Sequence, residues 1–129
     1  MKKYYRIMSL ALLAATTLSL SLPLHTHAAE LSAIELQQNC AETEKGFLGQ
    51  KFDSEKSDIC KGYMMGFFDS MIVSDQLSGK QQFCIPRSLP KTQNTLILNE
   101  WVQNNRKIAE STTAAVALFA AYTKTFPCK

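Results

Sequence analysis

The sequence predicts an all-α fold, a compact bundle of about four helices stapled by two disulfides, following a cleaved signal peptide. Three observations carry that reading. Apolar residues recur at spacings of three and four along most of the chain, the period of a one-faced helix. Polar residues suited to helix caps precede several of these stretches. Four cysteines, Cys40, Cys60, Cys84 and Cys128, follow an N-terminus built for export.

That N-terminus comes first in the chain. Lys2, Lys3 and Arg6 make a basic start, and an uncharged apolar stretch runs from Ile7 to Leu22. Pro23 and the polar His25-Thr26-His27 then lead into Ala28 and Ala29. A charged start, an apolar middle and small residues at the cut define a secretory signal. Cleavage after Ala28 places Thr26 and Ala28 as the small residues, and cleavage after Ala29 is the near alternative. A membrane-spanning helix needs about 20 continuous apolar residues, and this run is shorter. The expected division is a signal peptide over residues 1–28 and a helical domain over 29–129, exported to the periplasm with no stable membrane anchor after cleavage.

Cleavage changes the charge balance. Three of the 14 basic residues lie in the signal, which leaves 11 basic against 11 acidic. A neutral chain lacks the basic surface of a nucleic-acid binder. Both histidines, His25 and His27, also leave with the signal. The commonest general base and metal ligand is then absent from the exported part, so Ser–His and Cys–His catalysis are excluded and no cofactor or metal is expected. About a hundred residues form one small domain, for which cross-links are a usual support. The cysteines are 20, 24 and 44 residues apart, too scattered for the paired spacing of a structural zinc site. In an exported chain they read as two disulfides with three connectivities open.

The elements follow in order. Ser32 caps a first helix, and Glu35 three residues on completes a capping box. Leu31, Ile34 and Leu36 supply its apolar edge, Cys40 sits near its end, and residues 41–53 read as a loop containing Gly46 and Gly49. Ser54 or Ser57 caps a second helix that runs to about Val73, with Cys60, Tyr63, Met64, Phe67 and Met71 as one stripe. Gly62, Gly66 and Ser70 make a second stripe of small residues at four-residue spacing. Small residues let a backbone approach closely. Tight packing inside the domain is the favoured reading, and a partner helix from another chain is the alternative. Residues 74–90 read as a loop. A third helix starts near Lys91 and weakens at Asn104-Asn105, and a fourth starts at about Ser111. Residues 114–122 are apolar nearly all round, so this last helix is expected to be central and buried. Short links make neighbouring helices antiparallel. That arrangement favours the pairs Cys40–Cys60 and Cys84–Cys128.

No set of polar side chains converges on a reaction. Asp53, Glu55 and Asp58 fit the positive end of a helix, and Glu42 and Glu44 read as solvated charges. No phosphate loop or nucleotide fingerprint is present. The chain is therefore read as a binding protein and not an enzyme.

At the cysteines the pattern becomes specific. Cys60-Lys61-Gly62-Tyr63 with Gly66, then Phe83-Cys84-Ile85-Pro86, then an alanine-rich helix ending in Phe126-Pro127-Cys128, resembles the Rap/Tai family of type VI secretion system immunity proteins. The resemblance covers residues 40–128. It implies a small helical periplasmic protein that binds a cognate peptidoglycan amidase effector and blocks its active site. Family members are often homodimers. The family's proline between its last two helices is missing from residues 104–110 here. The implied mechanism is steric, a stapled surface plugging the toxin's cleft. The loop over residues 74–82, with Gln76, is the first candidate for that surface. Residues 42–56, with Phe47 and Phe52, are the second. Two readings from other classes stand beside it, a periplasmic acid-stress chaperone and an unassigned envelope binding protein. Phe47, Phe52, Met64, Met65 and Met71 would serve the chaperone's apolar surface.

Overall fold

Ser32 sets the start of the first helix. Its hydroxyl accepts from the Glu35 amide at 3.2 Å, and Glu35 Oε2 accepts from the Ser32 amide at 3.0 Å. Two orphan donors of the first turn are thereby satisfied. The computed structural model, which describes residues 30–129, places five helices after this point: α1 (Ala33–Phe47), α2 (Ser54–Ser78), α3 (Lys91–Asn104), α4 (Arg106–Ala109) and α5 (Ala114–Thr125). Among the described residues there is no strand, only one isolated antiparallel bridge between Ser32 and Thr113. The expected signal peptide, with the expected cleavage at Ala28 or Ala29, lies outside the described residues.

α1 is the hub, packing on α2, α3 and α5. Ala33, Leu36, Cys40 and Thr43 give it one continuous buried face at helical spacing. The helix continues through Phe47, seven residues past Cys40, so the loop expected from residue 41 begins only at Leu48. The extension is held from its sides. Thr43 is buried and reaches Ser57 Oγ at 3.0 Å. Glu42 accepts from Lys45 Nζ at 2.6 Å and from the Asp53 amide at 2.9 Å, which ties the helix end to the start of α2. Glu42 is therefore a bracket across the loop, not a free solvated charge. Those two hydrogen bonds, the Lys45 bond first, hold its carboxyl below the usual glutamate range.

Asp53, rather than Ser54 or Ser57, caps α2, accepting from the Lys56 amide at 3.2 Å. Ser57 instead lies inside, hydrogen-bonded to Thr43. α1 and α2 form an antiparallel hairpin: Thr43 meets Ser57, and one turn deeper Cys40 is joined to Cys60 with Cα atoms 5.0 Å apart. α2 runs to Ser78, five residues beyond the expected end. It stops where Gly79 turns left-handed at φ 65°, a conformation that glycine takes without the cost a side chain would add.

The following connection is short and pinned. Phe83 is buried, the Cys84 amide donates to the Phe126 carbonyl at 2.8 Å, and Cys84 is joined to Cys128. Both favoured disulfides are therefore present. α3 starts at Lys91 and ends at Asn104 as its sequence indicates, with Ile97, Leu98 and Val102 buried. Asn105 closes it, its side-chain amide donating to the Trp101 carbonyl at 2.8 Å. The one-turn α4 fills the link between α3 and α5. It adds a fifth helix to the expected four, and Ala109 anchors it in the core.

α5 is capped by Thr113 rather than by Ser111. Ala114, Ala117, Leu118, Ala121 and Tyr122 face inward. Val116 and Phe119 do not, at 58% and 38% exposed, so this helix is buried on one side only. The reason is its place in the bundle. α1 and α3 cover its inner side, and on the other side Phe119 meets only the edge of the core, its ring centroid 6.4 Å from that of Phe83. Tyr122 is the centre of an aromatic cluster with Phe67, Phe68, Phe83 and Phe126, whose ring centroids lie 5.0 to 6.4 Å from its own. Edge and tilted contacts of this kind add about 0.5–1.5 kcal/mol per pair beyond the area buried.

Candidate functional site

Between the C-terminal half of α1, the middle of α2 and the first turn of α3 lies an apolar groove of about 420 Å³. That volume falls in the ordinary range for ligand and partner clefts. Its floor follows from the α2 stripe: Cys60, Met64 and Phe68 line it, and Cys60 and Met64 are buried. Phe47 and Met65 stand at the edge, 52% and 66% exposed. Asn94 and Thr95 supply polar groups from α3. Lys61 gives the edge its cation and pairs with Asp58 at 3.1 Å on the exposed surface. Such an exposed pair adds little to stability.

Rigidity is built into the groove's walls. The Cys40–Cys60 disulfide and the Thr43–Ser57 hydrogen bond lock α1 to α2 directly behind the floor. On the α3 side, Asn94 Oδ1 accepts from the Tyr122 hydroxyl at 2.9 Å. Burial pushes that phenol far above its ordinary value, so it remains a donor across the physiological range. A rigid apolar groove with two or three polar fixtures can hold an apolar side chain or short segment of another protein with little ordering cost. Among the described residues no group of three or more histidine, cysteine or carboxylate side chains is placed to hold a metal ion. No described helix is long and apolar enough to cross a membrane.

The residues singled out in the sequence are not all brought together. Phe47 lines the groove. Phe52 is not among the lining residues; its ring packs on Gly46, where a Cβ would meet it at 3.3 Å. Gln76 does not join them. It sits in the last turn of α2, eleven residues beyond Met65 and so about 16 Å further along the helix axis. The loop expected at residues 74–82 is helical through Ser78, because the α2 pattern continues to the Gly79 stop, so Gln76 lies on a helix and only residues 79–82 are loop. Gly62 and Gly66 are exposed, with nothing within 4 Å of where a Cβ would stand, and Ser70 is exposed too. The favoured reading of close packing inside the domain is therefore wrong. This stripe lies on the side of α2 turned away from the hub helix. Asn94, Thr95 and Thr43 were not expected at a site. Their contribution depends on how α3 crosses α1 and α2, which no local pattern records.

Fold and groove define the class: a small all-helical protein, cross-linked twice, presenting one rigid apolar groove. The family model of the Rap1a immunity proteins matches residues 32–128, from the capping serine to the last cysteine. The chain belongs to that family, whose members act as immunity proteins. No curated protein and no solved structure matches it.

Proposed function

We propose that this chain is a periplasmic immunity protein that binds a type VI secretion cell-wall amidase and blocks its active site. The observation that carries the reading is the family match over residues 32–128. Membership implies a toxin as partner and inhibition as the role. The amidase, the secretion system and the compartment rest on the resemblance at Cys60–Gly66, Phe83–Pro86 and Phe126–Cys128, and on the signal-like N-terminus. Two disulfides suit an oxidising compartment. The resemblance also implies a second copy of the chain as partner.

The groove supplies a steric mechanism. A toxin segment with an apolar anchor seats against Phe47, Met64 and Met65, and the stapled α1–α2 hairpin stands across the toxin's cleft. Blocking needs no chemistry from the inhibitor, only a surface that keeps its shape. The test is inhibition of a purified peptidoglycan amidase encoded beside this chain. Met65→Glu places a charge at the groove edge and is expected to weaken the complex by at least tenfold, while leaving the melting temperature unchanged because Met65 is exposed. An unchanged complex would remove the groove from the reading.

A further inference from the structure

The two disulfides stand in opposite surroundings. Cys40 and Cys60 are 2% and 1% exposed, enclosed between α1 and α2 with the Thr43–Ser57 pair beside them. Cys84 and Cys128 are both exposed, and the Cys84 sulfur lies at the surface, 3.5 Å from Oε1 of exposed Gln81. A disulfide is broken when an external thiolate attacks one of its sulfurs, so the reaction needs access to the bond. The outer bridge offers that access in the folded protein. The inner bridge offers it only after α1 and α2 separate.

The outer bridge also joins segments that other contacts hold in place. Phe83 is buried and stacks on Phe67 with centroids 6.3 Å apart, and the Phe126 ring lies 6.0 Å from that of Tyr122. The Cys84 amide donates to the Phe126 carbonyl at 2.8 Å, and the Gln82 amide donates to Asp75 Oδ1 at 3.2 Å. None of these contacts uses sulfur. Opening the bridge leaves the aromatic anchors seated and the helices packed.

We propose that Cys84–Cys128 is a thiol–disulfide exchange site that an external dithiol opens while the protein stays folded, and that Cys40–Cys60 takes no part. One thiolate of the dithiol attacks a sulfur of the bridge and displaces the other cysteine as a thiolate, giving a mixed disulfide. The second thiol of the dithiol, as its thiolate, then attacks the mixed disulfide and releases the protein. Two electrons and two protons pass to the protein, which ends with two thiols, and the dithiol ends as a disulfide. Local charge favours the displaced thiolate. Arg87 and Lys129 are the only charged residues within three sequence positions of this pair, whereas Glu42 and Asp58 lie that close to the inner one. Cations near a cysteine stabilise its thiolate. Neither cysteine of the outer pair lines the groove, so the site stands apart from toxin binding.

Timed reduction of residues 29–129 with dithiothreitol at neutral pH tests this, with iodoacetamide quenching and mass-spectrometric mapping of the labelled cysteines. Cys84 and Cys128 are expected to be labelled at least about a hundredfold faster than Cys40 and Cys60, since the buried pair waits for a larger opening. The fast rate should rise in proportion to dithiothreitol, and helical circular dichroism should persist after it. Reduced thioredoxin in place of dithiothreitol separates the sources of the dithiol: the same selectivity assigns the site to protein dithiols as well, and reaction with dithiothreitol alone assigns it to small ones. Cys128→Ala leaves Cys84 as an exposed thiol and is expected to take up one glutathione from glutathione disulfide while folded. Loss of both bridges at one rate, earlier loss of Cys40–Cys60, or a folded Cys128→Ala variant that takes up no glutathione overturns the proposal.

Discussion

The Tyr122 hydroxyl donates to Asn94 Oδ1 at 2.9 Å, joining the centre of the aromatic core to a wall of the groove. Tyr122 has no exposed surface, and Asn94 lies 28 residues before it. This bond fixes the first turn of α3 against α5. Tyr122→Phe keeps the ring contacts but leaves the Asn94 side chain without this donor. A loss of about 1–2 kcal/mol is expected in urea unfolding. Tyr122→Ala also opens a cavity and is expected to cost about 3–5 kcal/mol.

The same phenol predicts an alkaline limit to stability. Burial raises its folded value above that of the unfolded chain, which ionises near pH 10. Above that pH the unfolded state releases a proton that the folded state keeps, so stability falls as pH rises. Tyrosinate absorbance should therefore appear together with loss of helical circular dichroism. Early ionisation of all the tyrosines in a folded protein would contradict the buried donor.

At the acid end the sign reverses. Glu42 is held low by Lys45 and the Asp53 amide, and Glu35 by the Ser32 hydroxyl and amide. Their contribution is present above the ordinary glutamate value of about 4.3 and is lost as pH falls through their lower folded values. Glu42→Gln should flatten the fall of melting temperature over that window. An unchanged acid profile would mean that the bracket across the α1–α2 loop contributes nothing. The acid limit also bears on the chaperone alternative, which requires suppression of client aggregation near pH 2 to 3.

Thr43 and Ser57 are both buried and bonded to each other at 3.0 Å beside the first disulfide. Thr43→Val leaves Ser57 unpaired and should cost about 1–3 kcal/mol, whereas adding Ser57→Ala should restore part of that loss. A double-mutant cycle in urea measures the coupling. Additive losses would show that the pair is not the unit the geometry indicates.

The two disulfides close chain segments of different length, 20 and 44 residues. The chain-entropy model gives about 3 kcal/mol for the first and about 4 kcal/mol for the second. Paired Cys→Ala variants should follow that order in unfolding experiments. A larger loss from the shorter loop would show that the α1–α2 lock acts on the folded state.

The parts of this fold legible in sequence were those set by local rules. The Ser32–Glu35 box, the start of α3 at Lys91 and its end at Asn104 need only neighbours along the chain. The disulfide pairing followed from antiparallel helices. The boundaries that failed were set by distant contacts. Polar residues 41–47 read as a loop because their helix is secured by Ser57 and Asp53, on another element. Gly62 and Gly66 read as packing residues because nothing local tells a covered helix face from an exposed one. The groove is half visible in the sequence: Phe47, Met64 and Met65 read as apolar surface, but Asn94 and Thr95 join them only through the crossing of α3.

The most direct test of the central claim is a binding and inhibition assay with residues 29–129 of the chain and a cell-wall amidase encoded beside it. The account predicts a stable complex at neutral pH, with Kd of about 1 nM to 1 μM. It further predicts loss of amidase activity in that complex, and weakening by Phe47→Ala and Met65→Glu but not by Gln76→Ala. A protein that binds no such amidase, or binds one without reducing its activity, would contradict it.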